Sequence, residues 1–280
     1  MVSTMSLLSF CSESLVVRVG ENGRVTPSTP PHEQLPPVQK LRVRFAKRGR
    51  LRFTSHRDFQ RAFERALRRS GVPVAYSQGF TPHPKVSYAG AAPTGAISEA
   101  EYLELSMTRR CVPSEVGAAL DEVLPPGLDI VEVVEAGSGA LADRLQASVW
   151  HIELPDTHVA QVGAALRTFL SVDSVPVERL TKNGVRVLDA RAAVLAAEAV
   201  GDEPPAIRLT VRHQSPTVRP EEVMKGLEAT SGFIPSAPIQ VTRLEQGIFT
   251  APGSALTDPL EPDRAGGGGD PADAGRPGST

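Results

Sequence analysis

Alternating hydrophobic and polar positions predict how the first part of the folded region is built. Leu41, Val43 and Phe45 alternate with arginines, a pattern typical of a half-buried strand. The same alternation over residues 50–53 follows a Lys-Arg-Gly turn and predicts a second short strand, paired with the first as a hairpin. A helix is predicted from about residue 56 to residue 70, because a Ser-x-x-Asp capping pattern precedes it, apolar residues recur at helical spacing and a glycine follows it.

The rest of the pattern predicts an order of elements that occurs twice. The first half continues with these elements: strands at 74–76, 85–89 and 101–107, a helix at 113–124 and a strand at 128–134. The second half contains these: a strand at 149–153, a helix at 157–170, a hairpin of 175–180 and 185–189 around an Asn-Gly turn, a strand at 207–212, a helix from 219 or 220 to 228 and a strand at 239–244. The order strand–helix–strands–helix–strand predicts an α+β fold of two tandem ferredoxin-like units.

Composition divides the chain into four segments. Residues 1–38 are proline-rich towards their end, and residues 250–280 are rich in Gly, Pro, Asp and Ala. Such segments cannot bury enough apolar surface to offset the entropy of ordering, so we expect two flexible, disordered tails. Between them we expect a basic ferredoxin-like unit at 39–136 and a second unit at 148–249.

The apolar segments of the sequence bear on where the protein is located. No apolar run approaches the roughly 20 residues that a membrane-spanning helix needs. A short apolar patch at residues 7–10 has no Lys or Arg before it, so it does not match a secretory signal. We therefore expect a cytoplasmic protein with no membrane partner.

Positive charge is concentrated in one segment. Residues 40–88 contain thirteen lysines and arginines against only Asp58 and Glu64, a net charge of +11, whereas the whole chain carries −2 and the remainder therefore −13. The net charge of the chain argues against a polyanionic partner. Its distribution favours one.

The arginines of the predicted helix recur at helical spacing and share one face. Like charges so placed repel one another, and guanidinium groups bind phosphates in a bidentate manner, so the pattern favours a nucleic acid, RNA above all. A solvated surface whose aliphatic stems cover the sheet, and a protein or another anion as partner, stay open. The residues predicted to bind nucleic acid, including those of the loop considered next, are Arg42, Arg44, Lys47, Arg48, Arg50, Arg52, Arg57, Arg61, Arg65, Arg68, Arg69, Tyr76, Gln78, Phe80 and Lys85.

The loop from Tyr76 to Lys85 combines two prolines and a glycine with aromatic, amide and basic side chains. Aromatic stacking and amide hydrogen bonds suit unpaired bases, and Lys85 suits a phosphate. A rigid connector whose aromatic side chains pack inward is an equally good interpretation.

Candidates for catalysis are few. His56 and His83 could act as a general acid and base if the fold brought them together. We expect no metal, because these histidines have no spaced carboxylates beside them, and no cofactor, because the chain has no phosphate-binding glycine motif. Its two cysteines cannot hold an iron–sulfur cluster.

The motifs around these histidines resemble those of the radical SAM-linked protein family, a bacterial domain of unknown function, over about residues 39–245. The segments that carry the resemblance are Leu51-Arg52-Phe53-Thr54-Ser55-His56-Arg57-Asp58, Arg65-Ala66-Leu67-Arg68-Arg69-Ser70-Gly71-Val72-Pro73 and Tyr76-Ser77-Gln78-Gly79-Phe80-Thr81-Pro82-His83-Pro84. The usual family patterns are Ser-His-Leu-Asp-Leu and Gly-Phe-Asn-Pro-His-Pro. Here Arg57, Phe59 and Thr81 differ, whereas His56, Asp58 and His83 match.

The resemblance implies a partner. Members of that family occur fused to, or encoded beside, a radical SAM protein, and often near ribonuclease E/G genes. It therefore implies an accessory role beside a separate radical SAM enzyme, on RNA. This chain lacks the three-cysteine cluster motif, so it is not the radical enzyme itself.

Three hypotheses follow. The first is a non-catalytic RNA-binding accessory protein whose basic helix and hairpin hold phosphates. The second is a metal-independent endoribonuclease or RNA-processing enzyme that uses His56 and His83. The third is a scaffold that docks a protein partner through its acidic second half without nucleic acid.

Overall fold

One mixed β-sheet runs through the part of the chain that the structure describes. The structure, a computed structural model, describes residues 35–78, 81–201, 203–251 and 253–266. Its elements are β1 (Gln39–Lys47), a 3₁₀ helix (Gly49–Phe53), α1 (His56–Ser70), β2 (Val86–Ala89), β3 (Ile97–Met107), α2 (Pro113–Val123), β4 (Leu128–Glu135), α3 (Leu141–Arg144), β5 (Ala147–Glu153), α4 (Val159–Leu170), β6 (Pro176–Thr181), β7 (Gly184–Asp189), β8 (Val194–Val200), β9 (Ala206–Arg212), α5 (Pro220–Ser231), β10 (Gln240–Gly247) and α6 (Glu261–Gly266).

The strand order connects the two predicted halves. The sheet has the order β4-β1-β3-β10-β5-β9-β8, and β2 also pairs with β3. Its neighbours are antiparallel except β3 and β10, which meet in a short parallel contact where Ile97 pairs with Thr242 and Ser98 with Arg243. The fold is therefore mixed α+β, as predicted, with one large mixed sheet. Strands β6 and β7 form a separate two-stranded ribbon.

Helix α1 forms where the sequence predicts it, and its apolar side decides which way the arginines point. Ser55 caps it by accepting a hydrogen bond from the backbone N–H of Asp58, and Gly71 ends it in the left-handed conformation that favours glycine. Phe59, Phe63, Ala66 and Leu67 are buried against the apolar face of β1 and against α2. The opposite side of the helix is therefore left to solvent.

The second half has its own apolar core. Ile152 of β5, Phe169 of α4 and Leu227 of α5 are buried in it. The helices α4 and α5 approach closely at Gly226, where an added Cβ would lie 2.7 Å from the Phe169 ring. A larger residue at this position would push the two helices apart.

The predicted hairpin at the start of the fold is wrong. Residues 49–53 form a 3₁₀ helix rather than a strand. Strand β1 already pairs with β3 on one edge and with β4 on the other, so no free edge is left for a hairpin partner. Two other local predictions also differ: Val74 and Tyr76 make only isolated bridges, and β8 was not predicted.

The expectation of a disordered tail from residue 250 is wrong for the part of that segment that the structure describes. Ile248 and Thr257 pair in an isolated β-bridge, Leu260 is completely buried, and α6 follows. Asp263 of α6 is buried beneath the sheet of the first half. Leu260 and the buried ion pair of Asp263 anchor this segment in addition to the β-bridge, and neither produces a hydrophobic pattern in the sequence. The predicted N-terminal tail falls outside the described ranges up to residue 34.

Candidate nucleic-acid interface and adjoining cleft

The outward side of α1 carries an exposed row of arginines. All five arginines of the helix are exposed: Arg57, Arg61, Arg65, Arg68 and Arg69. Asp58 lies 3.9 Å from Arg61 and Glu64 lies 3.8 Å from Arg68, which is the outer limit for an ion pair. Exposed pairs of this kind contribute little, so most of the positive charge of this face is uncompensated.

The loop after residue 76 lies beside this face. The backbone N–H of Ser77 donates to the carbonyl of His83, and the His83 imidazole lies 3.9 Å from the Glu64 carboxylate of α1. Gln78 and Lys85 are exposed at its two ends. Tyr76 is half-buried and packs against the core of the first half, so for this residue the structure agrees with the inward-packing interpretation. Phe80 lies outside the described residues.

Arg42 is not part of any exposed basic surface, which corrects the prediction for this residue. Its side chain is 1% exposed. It donates to Glu104 at 3.0 Å, to both carboxylate oxygens of Asp263 at 2.8 Å and to the carbonyl of Gly139. With its donors so occupied beneath the C-terminal segment, the guanidinium has no access to a phosphate.

Arg44 points to the same side of the sheet as Arg42, away from α1. Strand residues two apart share a face, and α1 packs on the other one. The Arg44 guanidinium donates to the carbonyl of Glu99 at 3.0 Å and lies 3.9 Å from Asp258. The two arginines of β1 therefore do not extend the exposed face of α1, contrary to the prediction.

The arginines around the 3₁₀ helix divide into bound and free ones. Arg48 forms ion pairs with Glu99 and, at 2.8 Å, with Asp129, and hydrogen bonds to these acids raise its pKa. Arg52 donates to the side chain of Gln240 at 2.9 Å. Arg50 is exposed and has no ion-pair partner among the residues that the structure describes.

The structure does not bring His56 and His83 together. His56 begins α1 and sets its ring edge against Tyr88, with ring centroids 5.3 Å apart. His83 lies near Glu64, which is eight residues further along the helix and thus about 12 Å away along its axis. A direct acid–base pair of these two histidines therefore has no geometric support.

His56 instead lines a cleft of about 600 Å³ that the sequence did not indicate. The loop at residues 90–94 forms one wall, and side chains from β5, β9 and β10 form the other. Arg243 of β10 is fully buried there: it donates to Ser98 at 3.1 Å and to Glu101, and it stacks over the Trp150 ring. The cleft is therefore built by both halves of the sheet.

Further polar groups line the same wall. His213 is hydrogen-bonded to Ser148 and, at 2.7 Å, to the carbonyl of Leu145, and burial lowers its pKa. Gln246 donates to the carbonyl of Ala100 at 2.6 Å, while its side-chain oxygen is buried and receives no hydrogen bond from the described residues. The only sequence signal for this site is polar residues at buried strand positions, and that signal becomes visible only once the strand pairing is known.

Lys47 occupies a small side pocket that shares His56, Ala91 and Ala92 with the cleft. The residue is 6% exposed, and among the described residues its ammonium has neither a hydrogen bond nor an ion pair. Burial lowers its pKa, although Glu101 nearby acts in the opposite direction. Lys47 therefore does not stand on an exposed basic surface as the prediction placed it, because almost all of its side chain is buried.

A comparison with known protein families shows to which family the chain belongs. Residues 40–220, more than half of the sequence, match the family described as "Uncharacterized protein conserved in bacteria (DUF2344)". The chain belongs to this family. No match is found among curated proteins.

Three solved structures share limited similarity with the chain. An unknown protein from Galdieria sulphuraria is 15% identical, with 75% of this chain and 99% of that one covered and a TM-score of 0.23. The first two RRM domains of yeast poly(U)-binding protein Pub1 are 8% identical over 73% and 98%, with a TM-score of 0.19. A putative dyp-type peroxidase from Shewanella oneidensis is 9% identical over 71% and 87%, with a TM-score of 0.20. Likenesses this weak carry no functional argument.

Two further observations bound the site. In the described ranges, no three His, Cys, Asp or Glu side chains are grouped so that they could hold a metal ion. Within the same part of the chain, no helix has the length and apolar character required to cross a membrane.

Proposed function

We propose that this protein binds RNA through the exposed arginine face of α1. The observation that supports this most is that five exposed arginines in a 15-residue helix meet only two acids, both at the outer limit of an ion pair. Such a row repels itself and is stabilised by a polyanion whose charges run alongside it.

Phosphates fit this face in chemistry and in reach. Guanidinium groups bind phosphate oxygens through two parallel hydrogen bonds, and exposed arginines can adjust to the spacing of a flexible single strand. Lys85 and Gln78 of the neighbouring loop lie on the exposed surface beside α1, where they would contact a phosphate and an unpaired base. The exposed Arg50 would extend the surface beyond the start of the helix.

The strand order supports a finer proposal about the fold. Within the sheet, the neighbour orders β4-β1-β3-β2 and β10-β5-β9-β8 are equivalent. In each set, one helix follows the strand that comes first in the chain (β1 or β5), and another precedes the strand that comes last in the chain (β4 or β10). We propose that these sets are two tandem ferredoxin-like units, of which the first supplies the RNA-binding helix.

The proposed role is that of an accessory protein to a separate radical SAM enzyme. This part rests on the motif resemblance at His56, Asp58 and His83 and not on the geometry of the site. Purification of a tagged chain from its host, with the co-purified proteins identified by mass spectrometry, tests it: recovery of a radical SAM protein supports the role, and its absence after washing at moderate salt would count against a stable complex.

Replacing three arginines of α1 tests RNA binding directly. In the variant Arg57→Gln, Arg61→Gln, Arg65→Gln, we expect affinity for an unstructured RNA oligonucleotide to fall roughly tenfold to hundredfold at about 100 mM salt. A matched variant removes three exposed arginines elsewhere: Arg109→Gln, Arg167→Gln and Arg186→Gln. Both variants lose the same net charge, so equal losses of affinity would show that total charge, and not this face, binds the RNA.

A further inference from the structure

The 3₁₀ helix that precedes α1 ends in an aromatic side chain on the surface. Phe53 is 60% exposed, and among the described residues no other phenylalanine, tyrosine or tryptophan is exposed. A phenylalanine in water forgoes the free energy that its burial would contribute. Single exposed apolar residues are common on protein surfaces, so the surroundings of the ring decide what it does.

The backbone on both sides of Phe53 is held in place. The N–H of Gly95 donates to the carbonyl of Arg52 at 2.7 Å, and the N–H of Thr54 donates to the carbonyl of Leu51 at 2.9 Å. The ring therefore stands on a fixed piece of chain, and a ligand that contacts it does not have to order this backbone first.

Arg52 lies over one side of the ring. Its guanidinium carbon is 4.7 Å from the ring centroid, which is a cation–π contact, and the same guanidinium donates to the Gln240 side chain at 2.9 Å. Since Arg52 occupies this side, the exposed area of the ring lies on its other side and at its edge. The result is a flat apolar surface backed by a positive charge.

Uncompensated positive charge flanks the ring along the chain. Arg50 comes before it and Arg57 after it; both are exposed, and neither has an ion-pair partner in the part of the chain that the structure describes. Four residues separate Phe53 from Arg57, so their Cα atoms are at most about 14 Å apart. Sites for single-stranded nucleic acids combine these features, because cations hold the backbone and aromatic rings stack on the bases.

The ring suits a base better than a protein partner. One aromatic side chain offers about 150–250 Å² of contact area, whereas a stable protein interface takes about 800 Å² from each partner. The exposed side chains next to Phe53 along the chain are arginines, Ser55 and His56. Charged residues are depleted in the core of protein interfaces, so these neighbours do not extend an apolar docking patch.

We infer that the Phe53 ring stacks on an unpaired base of the RNA whose phosphates lie along α1, so that the RNA bound there is single-stranded. The inference rests on the proposed function and narrows its ligand, because only unstacked bases offer a free face to an aromatic side chain.

The test is a double-mutant cycle between the ring and the bases. Affinity is measured for an unstructured RNA oligonucleotide and for a strand of equal length and charge in which spacers without bases replace the nucleotides. We expect Phe53→Ala to weaken binding of the RNA about fivefold to hundredfold, the usual contribution of one stacked base, and to leave binding of the base-free strand unchanged. Phe53→Tyr keeps the ring and should keep the RNA affinity. The control Ile234→Ala removes an apolar side chain that is 66% exposed elsewhere and should change neither affinity.

The outcomes separate this inference from the proposed function. If the native protein binds both strands equally tightly, or if Phe53→Ala keeps the native RNA affinity or loses equal affinity for both strands, the stacking inference is wrong, and the triple arginine variant alone decides on α1. If Phe53→Ala behaves as expected but the triple arginine variant binds RNA normally, the ring stacks on a base and the phosphates are held elsewhere. If the native protein binds neither strand, both proposals are wrong. Unchanged RNA affinity in Phe53→Ala with loss of a protein that co-purifies with the native chain would assign the ring to a protein contact and overturn the inference.

Discussion

Removing the carboxylate of Asp263 is expected to destabilise the protein strongly, although the residue lies only 17 positions from the end of the chain. Both oxygens accept hydrogen bonds from Arg42 at 2.8 Å, one also accepts from Arg144 at 2.7 Å and the other from the backbone N–H of Gly137 at 2.9 Å. The side chain of Asp263 is completely buried. One carboxylate thus joins β1, α3 and the segment after β4 to α6.

The expected loss of stability follows from the buried charge that the substitution leaves without its partner. In Asp263→Ala, the Arg42 guanidinium, which is 1% exposed in the native protein, loses its main counter-charge. Removing one partner of a buried ion pair costs about 3–5 kcal/mol, because the other charge remains buried. Asp263→Asn keeps the shape and part of the hydrogen bonding and should cost less. Asp143→Ala removes an exposed carboxylate from α3 and should change the free energy of unfolding by less than about 0.5 kcal/mol.

Urea denaturation followed by circular dichroism measures these differences. Deleting residues 251–280 should destabilise the protein at least as much as Asp263→Ala, because it also removes the buried Leu260. If the deletion and Asp263→Ala each cost less than about 1 kcal/mol, the C-terminal segment does not pack as the structure describes, and the reasoning is refuted.

Three further substitutions and conditions follow from the same structure. Lys47→Met should stabilise the protein by about 1 kcal/mol in urea denaturation, because it replaces a largely buried lysine, which has no ion-pair partner among the described residues, with an apolar side chain. A loss of stability would contradict this. Gly247→Ala should lower the free energy of unfolding by about 1–3 kcal/mol, because the added Cβ collides with the backbone carbonyl of Thr257. As a control, the Cβ added by Gly163→Ala in α4 has no neighbour closer than 3.5 Å, so this substitution should stabilise the protein slightly. Burial alone would raise the pKa of Glu222, but hydrogen bonds from Arg179 and from the Arg219 backbone outweigh it, so this pKa is lowered. The ionised carboxylate therefore stabilises the fold above the unfolded-state pKa, and this stabilisation is lost as pH falls through the folded-state pKa. Glu222→Gln should therefore flatten the acid side of a stability-against-pH curve, and an unchanged curve would contradict the ion pair.

The parts of the fold that depend on local pattern could be predicted. Helix α1 has its cap, its apolar stripe and its glycine end within a continuous run of 17 residues, and its bounds agree with the prediction. Alternation also identified β1 and its two faces. It could not distinguish a strand from a 3₁₀ helix at residues 49–53, because four alternating residues fit either and the pairing of β1 decides.

The parts of the candidate site that depend on distant contacts could not be predicted. The sequence places Arg42 on the polar face of β1, but Asp263 covers that face from 221 positions away. Lys47 looks like one more basic residue of a charged segment until α1 and β3 close around it. Local charge therefore overestimated the exposed basic surface in β1, whereas the arginines of α1 are exposed as their helical spacing indicated.

The salt dependence of RNA affinity tests the central claim most directly. Each phosphate neutralised on a single strand contributes about −0.7 to the slope of log affinity against log salt concentration, so contacts with three to five arginines of α1 predict a slope of about −2 to −3.5 between about 50 and 300 mM. In Arg57→Gln, Arg61→Gln, Arg65→Gln the slope should become shallower by about 2. A flat dependence in the native protein, or an identical slope in the variant, would contradict the claim that the arginine face of α1 holds phosphates.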